Sequence, residues 1–282
     1  MLTVLKLNQQ EHRIGPGLPT TVIGERINPT NRKAFVEELE RGDFETVRRD
    51  ALAQKEAGAQ VLDVNVGTGS VDEVRILPKA IEVAVQAAGL PICIDSSNAE
   101  AMEAALKVYP GKALVNSVTG EENSLGKILP MVKEYGAAVI GLTLDDDGIP
   151  SDVEKRVEIA RKIIERSVEI GIPKEDVIID PLTMSVATDS KAGAVTLEAV
   201  HRIATELEVN VVLGASNVSF GLPDRSTINA AFLAMAISAG VTAVISDPTN
   251  VVLTKAILAA DVLAGKDDFA QRYIQNYRAR KQ

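Results

Sequence analysis

The chain has 282 residues, of which 46% are hydrophobic but only 3% aromatic, with no Trp, so one large core must be built from Val, Ile, Leu, Ala and Met. A net charge of −9 argues against a nucleic-acid surface, because phosphate binding needs clustered Lys and Arg to release counterions. The single cysteine, Cys93, excludes a disulfide framework and fits a reducing, cytoplasmic setting; inside Pro91-Ile92-Cys93-Ile94 it reads as a packing residue.

The apolar opening, Met1 to Leu7, is too short and too soon polar for a signal peptide, and it suits a strand closing the floor of a barrel. A Gly/Pro loop, Ile14 to Pro19, leads into a strand over Thr20–Gly24 that ends on Glu25. Asn28-Pro-Thr-Asn31 then reads as the cap region of one polar helix around Glu37 to Lys55. Further strands are expected at Val61–Asn65 and Ile92–Asp95, after which Ser96-Ser97-Asn98 supplies an N-cap for a helix over Ala99–Val108. Ala113–Asn116 and Ala138–Leu144 follow as strands, then an amphipathic helix over Val153–Ile170 with Val157, Ala160, Ile163 and Ile164 on one face. Strands at Val177–Asp180 and Val211–Gly214 come next. Ser226 to Ser246 carries no charge, but its Asn229, Ser238, Gly240 and Thr242 divide it into a buried helix, Ile228–Ser238, and a strand, Ala243–Ser246, rather than a membrane span. The Arg272–Gln282 segment, with Arg278, Arg280 and Lys281, reads as a frayed helix end.

Eight of these apolar runs end on a polar residue: Glu25, Asp63, Asp95, Asn116, Thr143, Asp180, Asn217 and Asp247. The spacing, from 21 residues (95 to 116) to 38 (25 to 63), is the length of one βα unit. The expectation is a single-domain α/β protein, a (β/α)8 TIM barrel over 20–265 with an N-terminal extension, 1–19, and a C-terminal helical tail, 266–282. In such a barrel the strand ends converge on one mouth.

His12 and His201 lie away from the strand ends, so a hydrolase triad or two-His metal site has little to work with. His12-x-x-Gly15 matches half of a cobalamin-ligating motif, but Gln10 stands where that motif needs Asp and no Rossmann-type strand precedes it. No nucleotide-binding glycine motif occurs. Three readings of the polar ring stay open: carboxylates holding Mg²⁺, carboxylates capping the helices, or carboxylates and carboxamides reading the edge of a flat heterocycle such as a pterin.

At these residues the chain resembles the pterin-binding methyltransferases, which include methyltetrahydrofolate:corrinoid protein methyltransferases and the folate module of cobalamin-dependent methionine synthase. The matching segments are Ile23-Gly-Glu-Arg-Ile-Asn28, Leu62-Asp-Val-Asn-Val-Gly67, Ile94-Asp-Ser-Ser-Asn98, Val115-Asn-Ser117, Ile140-Gly-Leu-Thr143, Ile179-Asp-Pro-Leu182, Gly214-Ala-Ser-Asn-Val-Ser219 and Phe232-Leu-Ala-Met-Ala236. The resemblance implies that Asp95, Asn116 and Asp180 hold the pterin edges, that Glu25 and Asn28 line the pocket, and that Gly214 and Ser216 let backbone approach it. Asn217 would face the methyl-bearing nitrogen with Arg225 near the ring, while Asp63 and Asn65 support from behind.

It also implies an enzyme that moves a methyl group between N5 of tetrahydrofolate and the cobalt of a separate corrinoid protein, assisted by Asn217, Asp180 and water. Folate would be the substrate, cobalamin would arrive with the partner, and no tightly bound cofactor or metal site is expected. A homodimer working in an O-demethylase or acetogenic system is the expected setting, with no nucleic acid and no membrane. The alternatives are a dihydropteroate synthase-like condensing enzyme, for which no basic pair suited to pyrophosphate is evident, and a folate-binding subunit without turnover.

Overall fold

The computed structural model describes residues 1–280. In chain order it contains β1 Thr3–Leu7, β2 Gln10–Ile14, β3 Thr21–Ile27, α1 Lys33–Arg41, α2 Glu45–Glu56, β4 Val61–Val64, α3 Glu73–Ala88, β5 Ile92–Asp95, α4 Ala99–Val108, β6 Gly111–Lys112, β7 Leu114–Thr119 and α5 Glu122–Tyr135. The remainder is β8 Ala138–Leu142, α6 Val153–Glu169, β9 Val177–Asp180, α7 Ala192–Glu206, β10 Asn210–Gly214, α8 Arg225–Ala239, β11 Ala243–Ser246, α9 Val251–Leu263 and α10 Gln271–Ala279. Eight strands close into a parallel barrel in the order β3-β4-β5-β7-β8-β9-β10-β11, and β11 pairs with β3 through Ser246 and Gly24. The expected (β/α)8 barrel is therefore the fold.

Barrel strands are apolar on both faces because each is covered twice, by helices outside and by side chains inside. Ile23, Val61, Cys93, Leu114, Ile140, Ile178 and Val212 fill the interior, and Leu5 and Ile14 of the hairpin β1–β2 join the same cluster. The apolar N-terminus thus closes the floor as a strand. Asn210 at the start of β10 ties it there, donating to Thr3 Oγ1 (2.9 Å) and to the Ile14 carbonyl (3.1 Å). The hairpin becomes a three-stranded antiparallel sheet through β6, where a Cβ on Gly111 would stand 2.1 Å from the Lys6 carbonyl oxygen.

Two local expectations are corrected. The polar stretch expected as one helix is two, α1 and α2, because Gly42 takes a left-handed conformation (φ 72°) that ends the first. Asn28 does not cap α1 either: its Oδ1 accepts from the Thr30 N–H at 2.9 Å, making a local turn, and Arg32 occupies the cap position. By contrast Asn98 caps α4 as expected, accepting from the Glu100 and Ala101 N–H groups. The uncharged stretch forms α8 and β11, and among the described residues no helix is long and apolar enough to cross a membrane. The C-terminal segment forms α10, with no buried residue; Lys281 lies outside the described residues.

Strands β3 and β7 run past their expected ends, and the ladder shifts register between Gly24 and Ile27 and between Asn116 and Val118. Such irregularities re-aim side chains at a barrel rim. Here they fall at Glu25 and at Asn116.

Candidate functional site

At the C-terminal end of the barrel a cavity of about 380 Å3 is lined by Glu25, Arg26, Asn28, Thr30, Arg32, Asp63, Asp95, Asn116, Ile245 and Asp247. A groove of about 620 Å3 opens on the far side of Asp95 and Asn116, running between the starts of α4 and α5. Those two residues, paired in register on β5 and β7, stand between both openings.

Each is fixed from behind. Asn65 Nδ2 donates to Asp95 Oδ2 at 2.9 Å, and the Gly67 N–H orients the amide by donating to Asn65 Oδ1 at 2.8 Å. Asn116 Nδ2 donates to Asp63 Oδ1 at 3.3 Å, which leaves its carbonyl oxygen for a ligand. Asp63 is 3% exposed; burial, and then the negative charge of Asp95, hold its carboxyl well above the ordinary range. Burial also raises Asp95, though its hydrogen bond from Asn65 opposes this. Of these two adjacent buried carboxyls, Asp63 holds its proton the more strongly and Asp95 gives it up more readily.

Glu25 sits in the β3 bulge, which is stabilised by Gln54 of α2: its Oε1 accepts from the Arg26 N–H at 2.9 Å and occupies the place a Cβ on Gly24 would take. Glu25 Oε1 accepts from Ser216 Oγ at 3.2 Å. Burial pushes Glu25 up to about 7, the charge of Asp247 adds to the rise, and Ser216 and Arg225 oppose it.

The remaining expected residues lie beside this cavity rather than in its wall. Asp180 is buried at the end of β9, where its Oδ1 accepts from the Leu182 N–H at 2.7 Å. Burial pushes it up to about 6 against that bond, one from the Gly214 N–H and the charge of Arg156. Arg156 is 1% exposed and donates to the Pro150, Pro181 and Leu182 carbonyls, bracing the loop after Asp180. Asn217 lies exposed on a short 3-10 turn, Ala215–Ser219. Arg225 grips that turn, donating to the Ser216 carbonyl (2.6 Å) and Ser219 Oγ (3.1 Å) with the Phe220 ring alongside. Ser216, through Glu25, joins the two halves of the site.

Arg26, Thr30, Arg32, Ile245 and Asp247 were not expected as lining residues, although Asp247 belonged to the eightfold pattern. Two arginines, Arg26 and Arg32, also reach the cavity. Each is held by a carboxylate, Arg26 by Asp247 at 3.2 Å and Arg32 by Asp50 at 2.7 Å. Neither histidine takes part, since His12 bonds Thr21 Oγ1 at 2.9 Å on the floor and His201 is exposed on α7. Among the described residues no three His, Cys, Asp or Glu side chains are grouped to hold a metal ion. The arrangement offers anionic acceptors, a two-way amide and carboxyls that retain protons near neutrality.

The family model for pterin binding enzymes matches residues 24–247. A methylcorrinoid:tetrahydrofolate methyltransferase of Eubacterium limosum is 31% identical over 268 residues, spanning 92% of this chain and 97% of that one. The methionine synthase of Mycobacterium tuberculosis is 32% identical over 75% of this chain, which spans only 19% of the synthase. A dihydropteroate synthase of Coxiella burnetii, solved with pteroic acid, superposes with a TM-score of 0.70 over 94% of this chain and 99% of that one, at 18% identity, a likeness of fold alone.

Proposed function

This chain belongs to the pterin-binding enzyme family, and from that premise we propose that it moves a methyl group between N5 of tetrahydrofolate and the cobalt of a corrinoid carried on a separate protein. The observation that carries the reading is the register pair Asp95 and Asn116 at the mouth, each oriented from behind by Asn65 and Asp63. An anion beside an amide with a free carbonyl complements the amino and ring N–H groups of a pterin. Asp180 would accept from the same edge. Asn65 and Asp63 then hold the two contacts in place rather than making them.

Methyl transfer at N5 is an in-line displacement, and the nitrogen must lose or gain a proton as the methyl arrives or leaves. Asn217 does not titrate, so its part is to orient and stabilise the N5 region through its amide, with Asp180 and water completing the network. The Eubacterium limosum relative is named for transfer from methylcorrinoid to tetrahydrofolate, which supports the same direction here. The corrinoid would approach the mouth past Phe220, 66% exposed, and Met184, 38% exposed, on two loops bonded together by Val186 N–H to the Val218 carbonyl. A cytoplasmic homodimer completes the proposal.

The test is spectroscopic. Cob(I)alamin should disappear on adding methyltetrahydrofolate and enzyme, and Asn217→Ala should slow that loss strongly while weakening folate binding. Unchanged turnover in the variant would remove Asn217 from the mechanism, and no reaction in the parent would refute methyl transfer. Chromatography with light scattering decides the dimer.

A further inference from the structure

Which group handles the N5 proton is the question that Asn217 leaves. Most carboxyls at the mouth are already engaged. Asp95 is bonded by Asn65 and Asp63 by Asn116, and burial strengthens the hold of each on a proton. Asp180 lies beside the cavity rather than in its wall, with the charge of Arg156 acting on it, and Asp247 is paired with Arg26. Glu25 lines the cavity and accepts from the Asp247 N–H, and it differs in that its side-chain partner is the neutral hydroxyl of Ser216, the residue next to Asn217.

We propose that Glu25 is the group that exchanges a proton with the pterin N5 during methyl transfer, held toward that nitrogen by Ser216. This rests on the methyltransferase reading. When folate is methylated, the N5 lone pair attacks the methyl carbon, the cobalt–carbon bond breaks with its electron pair staying on cobalt, and the N5 proton passes to the Glu25 carboxylate. In reverse, the cobalt(I) electron pair forms the cobalt–carbon bond, the carbon–N5 bond breaks with its pair on nitrogen, and the Glu25 carboxyl protonates N5.

The charges facing Glu25 suit both directions. Asp247 from the loop after β11 favours the protonated form, Arg225 from α8 favours the ionised one, and burial outweighs both to leave the group near 7. A proton carrier works best when its titration lies close to the working pH.

The experiment measures the parent, Glu25→Gln and Ser216→Ala in both directions, with free methylcob(III)alamin or cob(I)alamin as probe, over about pH 5.5 to 8.5. In the parent, folate methylation should rise and demethylation fall with pH through a midpoint of about 7. Glu25→Gln should flatten both profiles and lower kcat by about 10²-fold or more. Ser216→Ala should move the midpoint upward, because the lost hydrogen bond favoured the carboxylate. A Glu25→Gln profile matching the parent overturns the assignment, and so does an unmoved midpoint in Ser216→Ala should the first variant fail to fold. A parent inactive in both directions refutes the methyltransferase reading itself.

Discussion

Asn65 reaches from the end of β4 to Asp95 at the end of β5, its amide nitrogen 2.9 Å from Oδ2, while the Gly67 N–H holds the amide oxygen. The bond favours the ionised form of Asp95, whereas Asp63 beside it holds its proton the more strongly. Two carboxyls of the same kind, one strand apart, therefore have different duties.

Replacing Asp95 by Asn should cost the folate complex about 1.5–3 kcal/mol, the worth of a hydrogen bond to a charged group. Asp63→Asn should cost far less, because an amide can accept from Asn116 and donate toward Asp95 as the protonated carboxyl does. Titration calorimetry of both variants with tetrahydrofolate checks the order, and equal losses would contradict Asp63 as the carboxyl that holds its proton the more strongly.

The same pair makes stability depend on pH. Asp63 binds its proton more tightly folded than unfolded, so its contribution is present at low pH and is lost as pH climbs through the raised folded value. Parent melting temperature should fall more steeply than that of Asp63→Asn as pH rises from the ordinary carboxylate range toward that raised value. Parallel curves would mean that Asp63 is ionised in the native state.

Arg156 is buried against three carbonyls and Thr196 Oγ1, and it holds the loop that carries Leu182 at φ 63°. Arg156→Met should leave those acceptors unsatisfied at a cost of roughly 2–4 kcal/mol. For a chain of this size that is a drop of about 3–7 °C in Tm by calorimetry. Folate affinity should fall as well, since Asp180 loses the cation behind it.

Cys93 is 0% exposed in the barrel interior, among the residues covered by Leu5 and Ile14, and burial and Asp63 push its thiol well up. The parent should resist a thiol reagent until it unfolds. Gly111→Ala puts a Cβ against the Lys6 carbonyl and should loosen the hairpin, so its thiol should react under native conditions. A variant as inert as the parent would show that the hairpin does not guard the floor.

Much of this architecture was legible in the chain. The strand spacing and double-sided apolar runs led to the barrel, Asn98 announced its helix, and the apolar opening reached the floor. The errors have local causes. Gly42, a single left-handed residue in a polar stretch, divided one expected helix into two. Asn28 bonded its own turn instead of a helix. Arg26 and Arg32 carried no signal in spacing, because a bulge and a loop, not a strand end, bring them to the cavity.

The chain alone determined the barrel, and with it that strand-end residues such as Glu25, Asp63, Asp95, Asn116 and Asp247 gather at one rim, since a closed eight-stranded barrel must bring its strand ends together. It could not determine their protonation or their partners. Those depend on burial and on distances between residues tens of positions apart: Asp63 against Asp95, Asn65 behind one and Asn116 beside the other, Ser216 across the mouth from Glu25. Electrostatic energies change steeply with depth and separation, and both are properties of the packed structure.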